Sequence, residues 1–99
     1  MQKLLDLISE KVGEAFAAEG YDGELGRSSV SSRPDLCEFQ CNGAMAGAKQ
    51  YHKAPFMIAD AVAARLGADE ESIFESAESV KPGFLNLKLK KSFLASYLV

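Results

Sequence analysis

Histidine, cysteine and tryptophan are scarce in this 99-residue chain, which holds one histidine, two cysteines and no tryptophan. His52 lies between Tyr51 and Lys53 in a polar stretch with no nucleophile or orienting partner in view, and reads as a solvated surface side chain. Cys37 and Cys41 are too few for a disulfide framework and read as reduced thiols, since a spacing of four does not by itself bring two sulfurs into bonding geometry. With His52 they fall short of the four ligands of a structural zinc site, so no metal is expected. No apolar run approaches the roughly 18 residues of a membrane span. Met1 leads directly into an amphipathic pattern, without the basic start, apolar stretch and cleavage site of a signal peptide. A soluble cytoplasmic chain is the expectation. A hydrolase elbow and a phosphate-binding glycine loop are also missing, and Asp69, Glu70 and Glu71 read as a solvated turn rather than paired catalytic acids. By itself the chain is expected to catalyse nothing.

What is present is a composition suited to one globular domain with a single core, 47% hydrophobic and 25% charged. Fourteen acidic against eleven basic residues give a net charge of −3. Sequence-independent binding to nucleic acid needs many phosphate contacts, so DNA is not an expected partner and any RNA contact must be local. The cations are unevenly spread: Lys81, Lys88, Lys90 and Lys91 supply four of the eleven basic residues within eleven positions. The acids fall elsewhere, notably at Asp69, Glu70, Glu71, Glu75 and Glu78.

Hydrophobic periodicity organises the chain. Leu4, Leu5, Ile8, Val12, Ala15 and Phe16 recur at three- and four-residue steps and predict a first helix over residues 2–19, ended by Gly20. Residues 24–31, with Leu25 and Val30 as their only apolar support, read as an edge strand. Arg33, Pro34 and Asp35 form a turn. Leu36 and Phe39, then the small residues 42–49, read as a second helix, where Gly43 and Gly47 thin the surface for close approach. Pro55 fits the first turn of a third helix, with Ile58, Ala59, Val62 and Leu66 as its stripe and Gly67 as its stop. Residues 72–80 read as a strand, Pro82 and Gly83 as a turn, and Ser92 as the cap of a last helix over 93–99. Phe93, Leu94, Tyr97 and Leu98 are too apolar for a free tail, so the chain looks cut. The expected fold is α+β in two layers, with helices on one face of a three- or four-stranded antiparallel sheet, in the order α-β-α-α-β-β-α.

The most informative stretch runs from Lys81 to Lys91. Successive side chains of a strand point to opposite faces, so Leu85, Leu87 and Leu89 line a core face while Phe84, Asn86, Lys88 and Lys90 line the other, roughly 7 Å apart. A planar ring, a two-sided amide and a row of cations suit an unpaired nucleotide: the ring stacks on the base, the amide reads its edge, and lysines hold the phosphates. The same alternation also describes any half-buried strand.

Two blocks carry a resemblance to a known family. One is Phe39-Gln40-Cys41-Asn42-Gly43-Ala44-Met45-Ala46-Gly47-Ala48-Lys49, followed by Pro55, Ile58 and Ala59. The other is Val80-Lys81-Pro82-Gly83-Phe84-Leu85-Asn86. In this order and spacing they closely resemble the N-terminal additional domain of bacterial arginyl-tRNA synthetases, over nearly the whole chain, 1–99. The resemblance implies a tRNA-binding module in front of a class I catalytic domain, which contacts the D-loop at the tRNA elbow. Carried over, Phe84 is the aromatic and Asn86 the amide that meet an exposed base; from the strand pattern and the local charge, Lys81, Lys88 and Lys90 are the expected RNA-binding cations. Gln40 and Asn42 match the family's aromatic-Gln-x-Asn block and are assigned packing or capping roles. Cys37 and Glu38 depart from the usual Gly-Asp. The family's His-Ile-Gly-His and Lys-Met-Ser-Lys-Ser blocks are missing, so ATP and Mg²⁺ belong to the parent enzyme and the fragment needs no cofactor. The expected partners are arginine tRNA and the catalytic domain of the same chain, with no membrane and no DNA. The rival reading is a protein or interdomain docking module in which Phe84 is an apolar anchor.

Overall fold

The computed structural model describes residues 2–31, 39–69 and 72–93. The expected turn at residues 33–35, together with Cys37 and Glu38, lies outside them. The described elements are α1 (Gln2–Ala18), a 3-10 turn (Gly23–Gly26), β1 (Ser29–Val30), β2 (Phe39–Cys41), α2 (Gly43–Tyr51), α3 (Pro55–Ala68), β3 (Phe74–Val80) and β4 (Phe84–Leu89). The four strands form one antiparallel sheet in the order β1-β2-β4-β3. Its two inner strands are therefore β2 and β4, and β4 carries the leucines of the C-terminal block into the core.

Each helix buries the stripe that its sequence predicts. In α1 Leu4, Ile8, Val12, Ala15 and Phe16 are buried, with Leu5 packed partly against them. In α3 Ile58, Ala59, Val62 and Leu66 are buried, and Pro55 occupies the first turn, where its missing N–H leaves no bond unmade. These side chains meet Phe39, Cys41, Phe74, Leu85, Leu87 and Leu89 from the sheet in one cluster. At about 1.5 to 3 kcal/mol for each large aliphatic side chain fully buried, the three leucines of β4 alone contribute several kcal/mol to folding. Arg65 in α3 donates through Nε to Glu19 Oε2 at 2.6 Å and ties α3 to the residue that follows α1.

Four expectations need correction. Residues 24–26 are not strand: the Asp22 carboxylate accepts the Glu24 N–H at 2.9 Å and starts the 3-10 turn, so only Ser29 and Val30 pair with β2. Phe39 does not enter the second helix. Phe39 and Cys41 are buried on one side of an extended segment that pairs with both β1 and β4, which gives its backbone partners along both edges. From α1 to β4 the order of the described elements is thus α-β-β-α-α-β-β, with the second helix starting at Gly43. Gly67 does not stop α3, which continues to Ala68. At the C-terminus residues 91–93 are already helical, so Ser92 sits inside that turn rather than in front of it; residues 94–99 lie outside the described ones.

Glycine is required where α2 begins. A Cβ on Gly43 would stand 1.7 Å from the Leu25 carbonyl oxygen, so the 3-10 turn lies directly against the start of α2. Close approach is the role that the small residues of this block predict, and its object is the neighbouring backbone. His52 follows α2 with φ 55°, in the left-handed region, and its N–H donates to the Ala48 carbonyl. It is exposed, and its contribution is to the helix end.

Candidate nucleic-acid interface

The site is built on β4, and its geometry follows from the sheet. Leu85, Leu87 and Leu89 are 0 to 2% exposed, and Phe84, Asn86 and Lys88, alternating with them, are half-buried on the opposite side. Because β4 has a paired strand on each side, its outer face is a shallow floor rather than an edge. Residues directly opposite each other on neighbouring strands share a face, and the register fixes the floor: Val80 lies opposite Phe84, Ser76 opposite Lys88, and Gln40 and Glu78 lie on either side of Asn86. With Ser29 opposite Gln40, a polar row Ser29, Gln40, Asn86 and Glu78 crosses all four strands. At about 4.8 Å per strand it spans roughly 14 Å, comparable with one nucleotide and its phosphates.

One hydrogen bond organises this row. Gln40 donates through Nε2 to Asn86 Oδ1 at 3.0 Å, in a partly buried position. Gln40 therefore faces the candidate site. The packing or capping role expected for it is replaced by a bond to the site's central amide, because β2 is a strand and places Gln40 between the buried Phe39 and Cys41. Asn42 does stand at the start of α2, but its side chain makes no capping bond there.

The cations are less uniformly arranged than the strand pattern predicts. Lys88 shares the face of Asn86. Lys90 lies just past the end of β4, half-buried, with its N–H donating to the Ile73 carbonyl at 2.9 Å. Lys81 belongs to the turn between β3 and β4, and its Nζ sits 5.8 Å from the centroid of the Phe56 ring at the start of α3, a cation–π contact. It stands at the end of the sheet rather than in the row. Glu78, grouped by sequence with acids remote from the lysines, is exposed directly opposite Asn86 and sets a negative charge on the same floor.

The turn that carries Phe84 is held by contact. A Cβ on Gly83 would lie 2.6 Å from Pro55 Cβ and 3.2 Å from Met45 Cγ, so the β3–β4 turn presses against the starts of α2 and α3. Around it Phe56 is 42%, Met57 56% and Val80 38% exposed. Beneath the sheet, Cys41 is buried and free, and its thiol donates to the Leu25 carbonyl at 3.3 Å. Burial pushes that thiol above its ordinary pKa, against smaller lowering effects from the Gly43 backbone and the Ser28 side chain. Cys41 is thus a core residue on the far side of Gln40's strand.

Sequence reasoning placed Phe84, Asn86 and Lys88 on the face where the structure has them. It missed Gln40, Glu78 and Phe56. Gln40 carried a signal, the apolar-polar-apolar triplet 39–41, too short to outweigh the helical reading of its neighbours. Glu78 is found only through strand register. Among the described residues no group of three or more His, Cys, Asp or Glu side chains could hold a metal ion, and no helix is long and apolar enough to cross a membrane.

A family profile described as the arginyl tRNA synthetase N terminal domain matches residues 2–89. The chain is similar to the arginine-tRNA ligase of Agathobacter rectalis, with 62% identity over 98 residues, which are 99% of this chain and 16% of that protein. It is 47% identical over 98 residues to the ligase of the same name from Alkaliphilus oremlandii, again 99% of this chain and 16% of that protein. Against that of Hyphomonas neptunium identity is 42% over 96 residues, 97% of this chain and 16% of the relative. The chain thus spans 16% of the length of the curated relatives it matches.

Proposed function

The chain belongs to the family of arginyl-tRNA synthetase N-terminal domains, and on that premise we propose that it is a tRNA-binding module that holds arginine tRNA at its elbow, through the D-loop, for aminoacylation by a catalytic domain. The observation that carries this reading is the half-buried row Phe84, Asn86 and Lys88 on a sheet floor whose other side is the core. Phe84 gives an unpaired base a stacking platform. Asn86 offers it an amide, Lys88 and Lys90 lie within reach of the flanking phosphates, and Lys81 extends the cationic rim at the turn.

The module itself performs no chemistry. In the parent ligase, a class I enzyme working in the cytoplasm, arginine is activated with ATP and Mg²⁺ in the catalytic domain. Among the described residues of this chain no group of three or more His, Cys, Asp or Glu side chains could hold the metal ion. Stacking contributes about 1 to 3 kcal/mol per base and each hydrogen bond about 1 kcal/mol, so a single floor of this size binds in the high micromolar range or more weakly. Such affinity suits a domain that aligns a substrate already held by other parts of a larger enzyme.

The test is an NMR titration of the chain with an arginine-tRNA transcript at low salt, repeated with Phe84→Ala and with a transcript altered in the D-loop. Shifts confined to residues 81–91 and their strand partners, and lost with either change, are the expected result. A second reading, docking against another protein domain, is favoured by the exposed Val80 opposite Phe84 and the exposed Phe56 and Met57 at the start of α3. Salt separates the two, since lysine–phosphate contacts weaken as ionic strength rises and an apolar interface hardly responds.

A further inference from the structure

We infer that Gln40 is the positioning residue of this interface: by holding the Asn86 amide in one orientation, it fixes which base edge the module accepts. The inference rests on the RNA-binding reading above. An asparagine amide is two-faced, with a carbonyl that accepts and an NH₂ that donates, and a free one turns to suit whichever edge it meets. Asn86 is not free in this way. Its Oδ1 accepts from Gln40 Nε2 at 3.0 Å in a partly buried setting, where water competes poorly for the bond.

The opposite neighbour agrees with that orientation. Glu78 faces Asn86 from β3, and an ionised carboxylate can only accept, so it favours the NH₂ on its side of the strand. With its carbonyl engaged, Asn86 presents the Nδ2 donor outward. Gln40, having used a donor, keeps its own Oε1 as an acceptor one strand away. The floor therefore offers a donor from β4 beside an acceptor from β2. Its complement is a stacked base that presents a ring nitrogen or carbonyl acceptor to Asn86. A base that can bring only an N–H to that position sets a donor against the Asn86 donor and is rejected.

Three variants test the assignment in the whole chain, with the arginine-tRNA transcript and versions in which each unpaired D-loop base is changed in turn. Gln40→Met keeps the length and removes the donor. Gln40→Glu replaces the donor with an acceptor and invites Asn86 to turn its NH₂ inward. In the free protein, Gln40→Met is expected to shift the Asn86 side-chain NH₂ resonances while the melting temperature stays nearly constant. On titration it is expected to weaken binding of the preferred transcript about three- to tenfold, the size of one hydrogen bond, and to narrow the discrimination between D-loop bases. Gln40→Glu is expected to change the preferred base. In an Asn86→Ala background Gln40→Met should have no further effect, because Gln40 acts through the amide.

The failures are distinguishable. A wild-type chain that binds no transcript overturns both the RNA reading and this assignment. A wild-type chain that binds through Phe84, with unchanged affinity and base preference in Gln40→Met, overturns the assignment alone. A Gln40→Met loss that persists undiminished in Asn86→Ala also overturns it, since Gln40 would then touch the base directly.

Discussion

The two faces of β4 use neighbouring residues of one short strand for opposite purposes. On the inner face Leu85, Leu87 and Leu89 are closed off from solvent by α1, α3 and the flanking strands. On the outer face Phe84, Asn86 and Lys88 stay half-buried, packed enough to be held and open enough to be met. The inner face tolerates no change of volume, whereas the outer one has side chains whose removal leaves the core untouched. An inner strand of the sheet thereby sets the proposed recognition face back to back with the buried core without making stability depend on it.

That separation is broken most forcefully from within. Leu87→Ala is expected to cost about 2 to 5 kcal/mol, because the transfer energy of the lost methyl groups and the cavity left between helices and sheet add together. Denaturant unfolding of the variant measures it, and a cost below about 1 kcal/mol would mean that the inner face of β4 is not part of the tightly packed core. Phe84→Ala sharpens the comparison from the other side. Its expected effect is a loss of about 1 to 3 kcal/mol in RNA binding, the size of a base stack, with stability changed by about 1 kcal/mol or less. A large drop in melting temperature with binding retained would reverse the roles assigned to the two faces.

How much of this was legible in the sequence depends on element length. The first and third helices offered three or more turns of periodic apolar residues, and their stripes were placed residue by residue. The strand from Phe84 to Leu89 offered three full alternations, enough to place its two faces. Strands of two and three residues carry almost no period of their own: β2 is held by pairing with β4, and β1 by pairing with β2, a fact of tertiary contact invisible to local pattern. Gln40 was lost for that reason, since it sits in β2 and gains meaning only opposite Asn86. Glu78 was visible as a charge but not as a neighbour, because register is set by the Val80–Phe84 pairing and an irregularity between Phe74 and Ser76. The resemblance named the Phe84 and Asn86 pair but left Gln40, the amide beside them, with a packing or capping role.

Cys41 gives a smaller test of the inner face, with a definite sign. Burial raises its thiol pKa above the ordinary 9.0, so the folded chain holds the proton more tightly than the unfolded one. Its contribution to stability is present below about pH 9 and is lost as pH rises from there through the raised folded value. Lysines and tyrosines also titrate in that range, so the quantity to follow is the difference in denaturant midpoint between wild type and Cys41→Ala at pH 7, 9 and 10. The wild type should lose more stability across that interval. Parallel curves would mean that water reaches the thiol and that the 39–41 strand is not sealed against the core.

The least disruptive change is on the outer face. Glu78 sets a carboxylate opposite Asn86 on the floor proposed to meet RNA, and Glu78→Gln removes that charge while keeping the shape. The variant should bind the arginine-tRNA transcript about twofold more tightly at low salt, with the gain fading by about 0.15 M salt as screening shortens the reach of exposed charges. If the Asn86 NH₂ leans toward that carboxylate, the substitution also loosens the amide from one side, and part of the gain in affinity should come with poorer discrimination between bases. A variant that binds more tightly with selectivity unchanged would assign Glu78 a purely electrostatic part, and would leave Gln40 as the sole residue that orients Asn86.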